Sequence, residues 1–299
     1  RDDVTKEAPF AVFIVADGMG GEARGEVASR IAARMVLSEL VSTFAVPALT
    51  RPAIMEMSEV PTAVLRAVSM KGATTDASDA SPTHENGANG ANAPEDELHR
   101  ALKRAVAAAN RQVRELASQL GQATGTTLTA LVSLGSHAAL AHLGDSRAYL
   151  LRGDLLAQLT EDHSVLARLQ AIDHPLLSDP DVFVPRNMLY RSLGQEDDPN
   201  PDLVSLTLAV GDRILICSDG LWDEIEPDAL AQTLETALTP QQCAEQLVAL
   251  ANATGGHDNS TALVVFVQSA AEDSARRAEG SPTESLSTAP GESGEQPSE

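Results

Sequence analysis

The chain of 299 residues carries 21 Lys and Arg against 43 Asp and Glu, a formal charge of −22 at pH 7. Such an acidic surface excludes general binding to nucleic-acid backbones, which requires a basic face. With 43% apolar but only 3% aromatic residues, the chain can bury a sizeable core, and that core must be aliphatic.

The first residue is Arg1 rather than Met, so a fragment is expected. A short apolar run at 11–16 reads as a strand, and residues 26–44, rich in Ala, Val, Leu and Arg, read as a helix. Residues 71–97 carry six acids and one Lys, and residues 269–299 seven acids and two Arg. Both have too few large apolar side chains to offset the entropy of ordering, so an acidic disordered insert and an acidic disordered tail are expected. Between them, Leu98, Leu102, Val106, Ala109, Val113, Leu116 and Leu120 recur at helical spacing and predict an apolar helix face over 97–120.

Further apolar runs at 126–134, 138–143, 147–151, 155–159, 213–217 and 261–267 predict strands. Pro227 and Pro240 open helices over 227–238 and 240–253. Gly153-Asp154 signals a hairpin, and Gly144-Asp145-Ser146 reads as a second one. Consecutive short strands with helices in separate blocks predict an α+β fold, two antiparallel sheets in a sandwich flanked by helices. A single domain over residues 1–268 is expected, with the insert as an excursion from it. Cys217 and Cys243 have neither disulfide nor metal-ligand spacing and read as small buried hydrophobes. No run approaches the ~18 apolar residues of a membrane span, and no signal segment opens the chain. A soluble, cytoplasmic monomer is expected.

The informative feature is where the acids fall. Asp17-Gly18 ends the run AVFIVA, Gly144-Asp145 ends AALAHL, Ser218-Asp219-Gly220 ends RILIC, and Asp258-Asn259 shortly precedes TALVVFV. A carboxylate at a strand end is held at a fixed point, and a neighbouring Gly lets backbone or a hydrated ion come close. Taken alone, each pair is an ordinary turn. If the four converge, their like charges call for a hard divalent cation, Mg²⁺ or Mn²⁺, bound through oxygen. Two such ions activate water as hydroxide and polarise a phosphoryl or carbonyl oxygen, so that no side-chain nucleophile is needed.

The strings VADGMGG, GEVAS, TGTTLTALV, AHLGDSRAYLLR, LTEDHSV, LYRSLG, ICSDGLWDEI and GGHDNSTALVV follow one another in an order that resembles the bacterial metal-dependent PP2C-type (PPM) Ser/Thr protein phosphatases over about residues 10–268. The resemblance implies an α-β-β-α sandwich with a two-metal centre at one end. By motif position, Asp17 would bridge both ions and the Gly18 carbonyl would bind the first. Asp219 and Asp258 would hold the second, and Asp145 would contribute to a third, looser site. The activity implied is hydrolysis of phosphoserine and phosphothreonine in proteins by metal-bound hydroxide, with Ser/Thr kinases as the opposing enzymes.

Three departures qualify the resemblance. The family begins with an Arg upstream of an acidic segment, whereas here Arg1-Asp2-Asp3 has the wrong spacing, so that segment is expected to lie upstream, with Asp3 as its alternative. Eukaryotic relatives often carry a His after Asp-Gly as leaving-group acid, and this chain has Met19. His163 and His257 are possible replacements, but structural or solvated roles are expected for both. The Pro-rich segment 174–187 stands where the family carries a flap, and reads equally as a lid or a connecting loop. The rival readings are a catalytically silent PP2C-like binding domain and another binuclear metal hydrolase.

Overall fold

Alternation of apolar residues forms the strands, and a helical apolar period forms the longer helices, in a computed structural model that describes residues 10–20, 22–45, 93–179 and 182–269. In chain order these are β1 (Phe10–Val15), β2 (Gly18–Met19), α1 (Glu22–Phe44), α2 (Ala93–Leu120), β3 (Gly125–Thr126), β4 (Leu128–Leu134), β5 (His137–Leu143), β6 (Arg147–Arg152) and β7 (Leu155–Gln158). Then follow α3 (Val165–Ala171), β8 (Asp202–Thr207), β9 (Arg213–Cys217), α4 (Asp219–Trp222), α5 (Pro227–Thr236), α6 (Pro240–Thr254) and β10 (Ala262–Phe266).

One four-stranded sheet has the order β1-β4-β5-β8 and the other β10-β9-β6-β7, with β2 and β3 forming a small pair. All pairings are antiparallel. Period-two alternation decides which layer each side chain enters. Phe13, Leu131 and Leu140 of the first sheet meet Ala148, Ile214 and Ile216 of the second in the central layer. Their neighbours Val12, Ala130 and Val132 face α1 and α2 together with Leu40, Leu102 and Val106. Leu215 and Cys217 face α5 and α6 with Leu230, Leu234 and Leu247. The result is the expected sandwich with helices on both outer faces. Cys217 and Cys243 are unbridged and buried, as expected.

The structure corrects several details. Gly144-Asp145-Ser146 does not close a hairpin: β5 pairs with β4 and β8, whereas β6 pairs with β7 and β9. The turn carries the chain from one sheet to the other. Gly153 does close the β6-β7 hairpin, at φ 57°. The helix expected from residue 97 starts at Ala93, where Pro94 and the first-turn acids Glu95 and Asp96 suit a helix N-terminus. Residues 93–97 therefore belong to α2, not to the predicted insert. Within α2, Leu98 to Val113 are buried as predicted, but Leu120 at the helix end is exposed. The rest of the insert, the tail beyond residue 269 and the segment Arg1-Asp2-Asp3 lie outside the described residues.

One buried histidine makes stability depend on acid. His142 of β5 receives the Thr129 hydroxyl at Nδ1 (2.9 Å) and donates from Nε2 to the Glu161 carbonyl (3.0 Å). Burial, and next the neighbouring His163, push its pKa down to about 3. Because the unfolded chain takes up this proton near pH 6.5 and the folded one does not, the contribution is present above pH 6.5 and is lost as pH falls. Urea unfolding should show the wild type losing about 2 kcal/mol more than His142→Gln between pH 6.5 and 5. Equal pH slopes for the two proteins would count against this account.

Candidate metal centre

Asp17 follows β1 and is fixed by Thr127, which lies between β3 and β4. The Asp17 amide donates to Thr127 Oγ1 (2.9 Å), and the Thr127 amide and the Thr126 hydroxyl both donate to the Asp17 carbonyl (2.8 Å each). Thr127 Oγ1 also lies 2.8 Å from Ser146 Oγ, so one hydroxyl joins the Asp17 corner to the turn that carries Asp145. That turn needs glycine. Gly144 has φ 110°, and a Cβ there would stand 2.6 Å from Thr127 Cγ2.

The second sheet supplies two further acids. Ser218 stands at the N-terminal boundary of α4 without a side-chain capping bond, and Asp219 is the helix's first residue. A Cβ on Gly220 would lie 2.6 Å from the Asn259 carbonyl oxygen, so only glycine lets the 258–261 loop lie against α4. Ser218 Oγ donates to the Asn259 carbonyl (3.2 Å) and accepts from the Thr261 amide (3.0 Å), and Ser260 Oγ donates to the Gly220 carbonyl (2.6 Å). These bonds hold Asp258 beside Asp219. Trp222 closes the group by donating Nε1–H to the Asp145 carbonyl (2.9 Å). Its ring lies under the Arg147 guanidinium, 3.3 Å from ring centre to carbon. Arg147 in turn forks onto Asp162 at 2.9 and 2.8 Å.

The charges interact accordingly. Burial, then the charge and hydrogen bond of Asp219, then Asp258 and Asp145, push Asp17 up to about 7. Burial, followed by Asp219 and Asp162, pushes Asp145 up to about 7. Asp219 is raised too, chiefly by burial, against the hydrogen bonds it accepts from the Gly220 amide and from Asp17. Acids at the ends of β1, β5 and β9 and before β10 therefore act on one another electrostatically.

The donor set suits a divalent cation. Partly buried carboxylates that repel one another are the environment that a hard, oxygen-seeking ion relieves. Among the described residues no three His, Cys, Asp or Glu side chains stand close enough together to hold a metal ion as they are placed. Asp258 is exposed and turned onto its neighbour's amide, Asn259 N, at 2.7 Å. The arrangement is a carboxylate cluster rather than a finished shell.

Gly18 lies in backbone contact with Gly25 of α1, where a Cβ on Gly18 would be 2.0 Å from the Gly25 carbonyl oxygen. Met19 pairs with Gly125 in the small β2-β3 sheet. Of the two histidines weighed as acids, His257 is exposed and bonded to Glu224 Oε1 (2.7 Å), whereas His163 is buried against the Gly144 peptide. In the expected flap segment, a short 3-10 turn spans Pro175–Ser178 and Arg186 is ion-paired with Asp223, just beyond α4. Thr127, Trp222 and Ser218 were not singled out from sequence. Their only signal there was proximity to the aspartate strings.

Comparison with known proteins gives a consistent result. A family model described as Protein phosphatase 2C matches residues 2–252. The chain is 29% identical over 256 residues to the serine/threonine phosphatase stp of Listeria innocua, covering 85% of this chain and 83% of that protein. Among solved structures, the serine/threonine phosphatase of S. agalactiae superposes with a TM-score of 0.62 at 26% identity, covering 88% of this chain and 90% of that one. The catalytic domain of the phosphatase PstP, in complex with 2 manganese ions, gives a TM-score of 0.58 at 27% identity, covering 88% of this chain and 92% of that one.

Proposed function

The chain belongs to the protein phosphatase 2C family, and from that premise we propose that Asp17, Asp219, Asp258 and Asp145, with the Gly18 carbonyl, make up its metal centre. It is a metal-dependent serine/threonine phosphatase that uses Mn²⁺ or Mg²⁺. The observation that supports the site assignment is that Asp219, Asp258 and Asp145, from three other parts of the chain, all raise Asp17, while Asp219 also raises Asp145.

When bound, divalent ions supply Lewis-acid polarisation of phosphoryl oxygens and lower the pKa of water into the neutral range. The protein's part is positioning. Thr127 fixes Asp17 through backbone and side chain. The Ser218, Ser260 and Gly220 contacts keep Asp258 and Asp219 adjacent. Asp17 and Asp219 are within hydrogen-bonding reach of each other, and a bound cation would compete for the proton they share.

The substrates are phosphoserine and phosphothreonine in proteins, among them Ser/Thr kinases and kinase targets. The chain outside residues 71–97 and 269–299 carries −12, which favours basic phosphopeptides. Ile172, Leu176, Phe183 and Met188 are exposed around the 174–187 segment beside the site and offer apolar contacts to the residues flanking the phosphate. Residues 1–268 act as one phosphatase domain, with acidic spacers at 71–92 and 269–299, and the protein works as a cytoplasmic monomer. Among the described residues no helix is long and apolar enough to cross a membrane.

Assay with a phosphothreonine peptide tests the reading. Turnover should require Mn²⁺ or Mg²⁺, stop on chelation, and be lost in Asp219→Asn, while a phosphodiester and an amide are left intact. Diester or amide cleavage at comparable rates would favour another metal hydrolase. Manganese binding with no turnover of any phosphopeptide would favour a binding domain.

A further inference from the structure

His163 grips a single residue, Gly144, through the two peptide units on either side of its Cα. Its amide donates to the Gly144 carbonyl (2.7 Å), and its ring Nδ1 accepts from the Gly144 amide (3.1 Å). Gly144 precedes Asp145 in the turn that crosses between the sheets, in a backbone conformation, φ 110°, that glycine favours. The other end of the crossing is held by Trp222 on the Asp145 carbonyl.

The ring's protonation pattern follows from its partners. A nitrogen that accepts from an amide carries no proton, so Nε2 carries it. Nε2 then donates to Asp202 Oδ2 (2.9 Å), at the start of β8. Asp202 Oδ1 accepts from Arg191 (2.9 Å), whose other terminal nitrogen lies 2.9 Å from His163 Nε2. A carboxylate on the far nitrogen is the arrangement that fixes which ring nitrogen is free to accept. The His163 side chain is 2% exposed and stacks on His142 with ring centres 4.8 Å apart, so the ring has little room to turn.

We propose that His163 is a positioning residue for the metal centre: through its two hydrogen bonds to Gly144 it sets the peptide from which Asp145 reaches the site. Asp202 and Arg191 hold it in the tautomer that can do so. The inference rests on the reading of Asp145 as a metal ligand. His163 acts through Gly144 and is not a catalytic residue.

Calorimetric titration of the full chain with MnCl₂ tests it, using wild type, Asp145→Asn, His163→Ala, His163→Asn and His163→Gln. The binding class that Asp145→Asn weakens identifies the Asp145 site. His163→Ala should weaken that class by about 10- to 100-fold and leave the tighter class within about threefold. The side-chain oxygen of Asn can occupy the position of Nδ1, whereas the longer Gln places its polar group nearer Nε2. His163→Asn should therefore recover most of the affinity and His163→Gln should not, a contrast that loss of packing does not produce. The Mn²⁺ concentration for half-maximal turnover should rise in step, with kcat at saturating Mn²⁺ within about threefold of wild type.

If His163→Ala fails to fold, the Asn and Gln variants alone carry the comparison. Wild-type affinities in Ala and Gln, or equal losses in Asn and Gln, would overturn the inference while sparing the site. Identical titrations of wild type and Asp145→Asn would instead remove Asp145 from the metal centre, and the inference with it.

Discussion

Asp17→Asn is expected to lower phosphothreonine-peptide turnover by at least about 10³-fold while making the metal-free protein harder to unfold at pH 8. The two effects have one cause. Asp17 is pushed up to about 7 by burial and by Asp219, Asp258 and Asp145, so its charged form is disfavoured in the fold. An acid whose folded pKa is raised costs stability increasingly as pH climbs from about 4 to about 7, and the whole cost is present above that. A neutral amide of the same shape removes the repulsion, for a gain on the order of 1–2 kcal/mol without metal. The same change removes a charge that a divalent cation needs. In wild type, Mn²⁺ should raise the melting temperature, and by more at pH 8 than at pH 6, because protons compete for the same oxygens. Asp17→Asn should lose most of that increment. A variant that is less stable without metal and still turns over substrate would show that Asp17 is structural.

The largest stability loss is expected from Gly18→Ala. Its added methyl would lie 2.0 Å from the Gly25 oxygen and 2.1 Å from the Gly25 carbonyl carbon. Both are backbone atoms of α1 and cannot swing aside as a flexible side chain can. A Cβ on Gly25 would likewise meet the Gly18 oxygen at 2.5 Å. To relieve the clash, α1 must move off β2, and β2 is continuous with Asp17. We expect a loss of about 3 kcal/mol or more, a fall in melting temperature on the order of 6–12 °C, and weakened Mn²⁺ binding. Gly121→Ala is the matched control. Its site has a left-handed φ of 63° but nothing within 4 Å of an added Cβ, so it should cost only about 1 kcal/mol and leave metal binding unchanged. Differential scanning fluorimetry with and without MnCl₂ reads both, and equal shifts for the two variants would rule out the backbone contact as the cause.

The two layers of the fold were legible in the sequence because burial repeats at periods the chain cannot hide. Ile214 and Ile216 face one way and Leu215 and Cys217 the other, and α2 keeps its apolar face from Leu98 to Val113. What stayed hidden had no such repeat. Strand β8 is an edge strand with half-exposed residues, and α3 has no buried residue at all. The Gly144 turn was misread as a hairpin because turn composition reports a change of chain direction, not the sheet that the next strand joins.

The four aspartates proposed as ligands stood out because each sits beside Gly, or shortly before an apolar run, at a strand end. Their supports did not stand out. Thr127 acts on Asp17 across 110 positions and Trp222 on Asp145 across 77. Contacts at that separation leave no local trace in composition or spacing. His163 was noticed for its chemistry, but its relation to Gly144 needs the register that brings the two segments together.

Asp17 and Asp258 lie near opposite ends of the ordered domain, and the loop bearing Asp258 is fastened to α4 just before β10 joins β9. With Asp258 as a proposed ligand, a polypeptide emerging from the ribosome lacks one acid of the metal centre until almost the whole domain has cleared the exit tunnel. Under that assignment phosphatase action is a late product of synthesis.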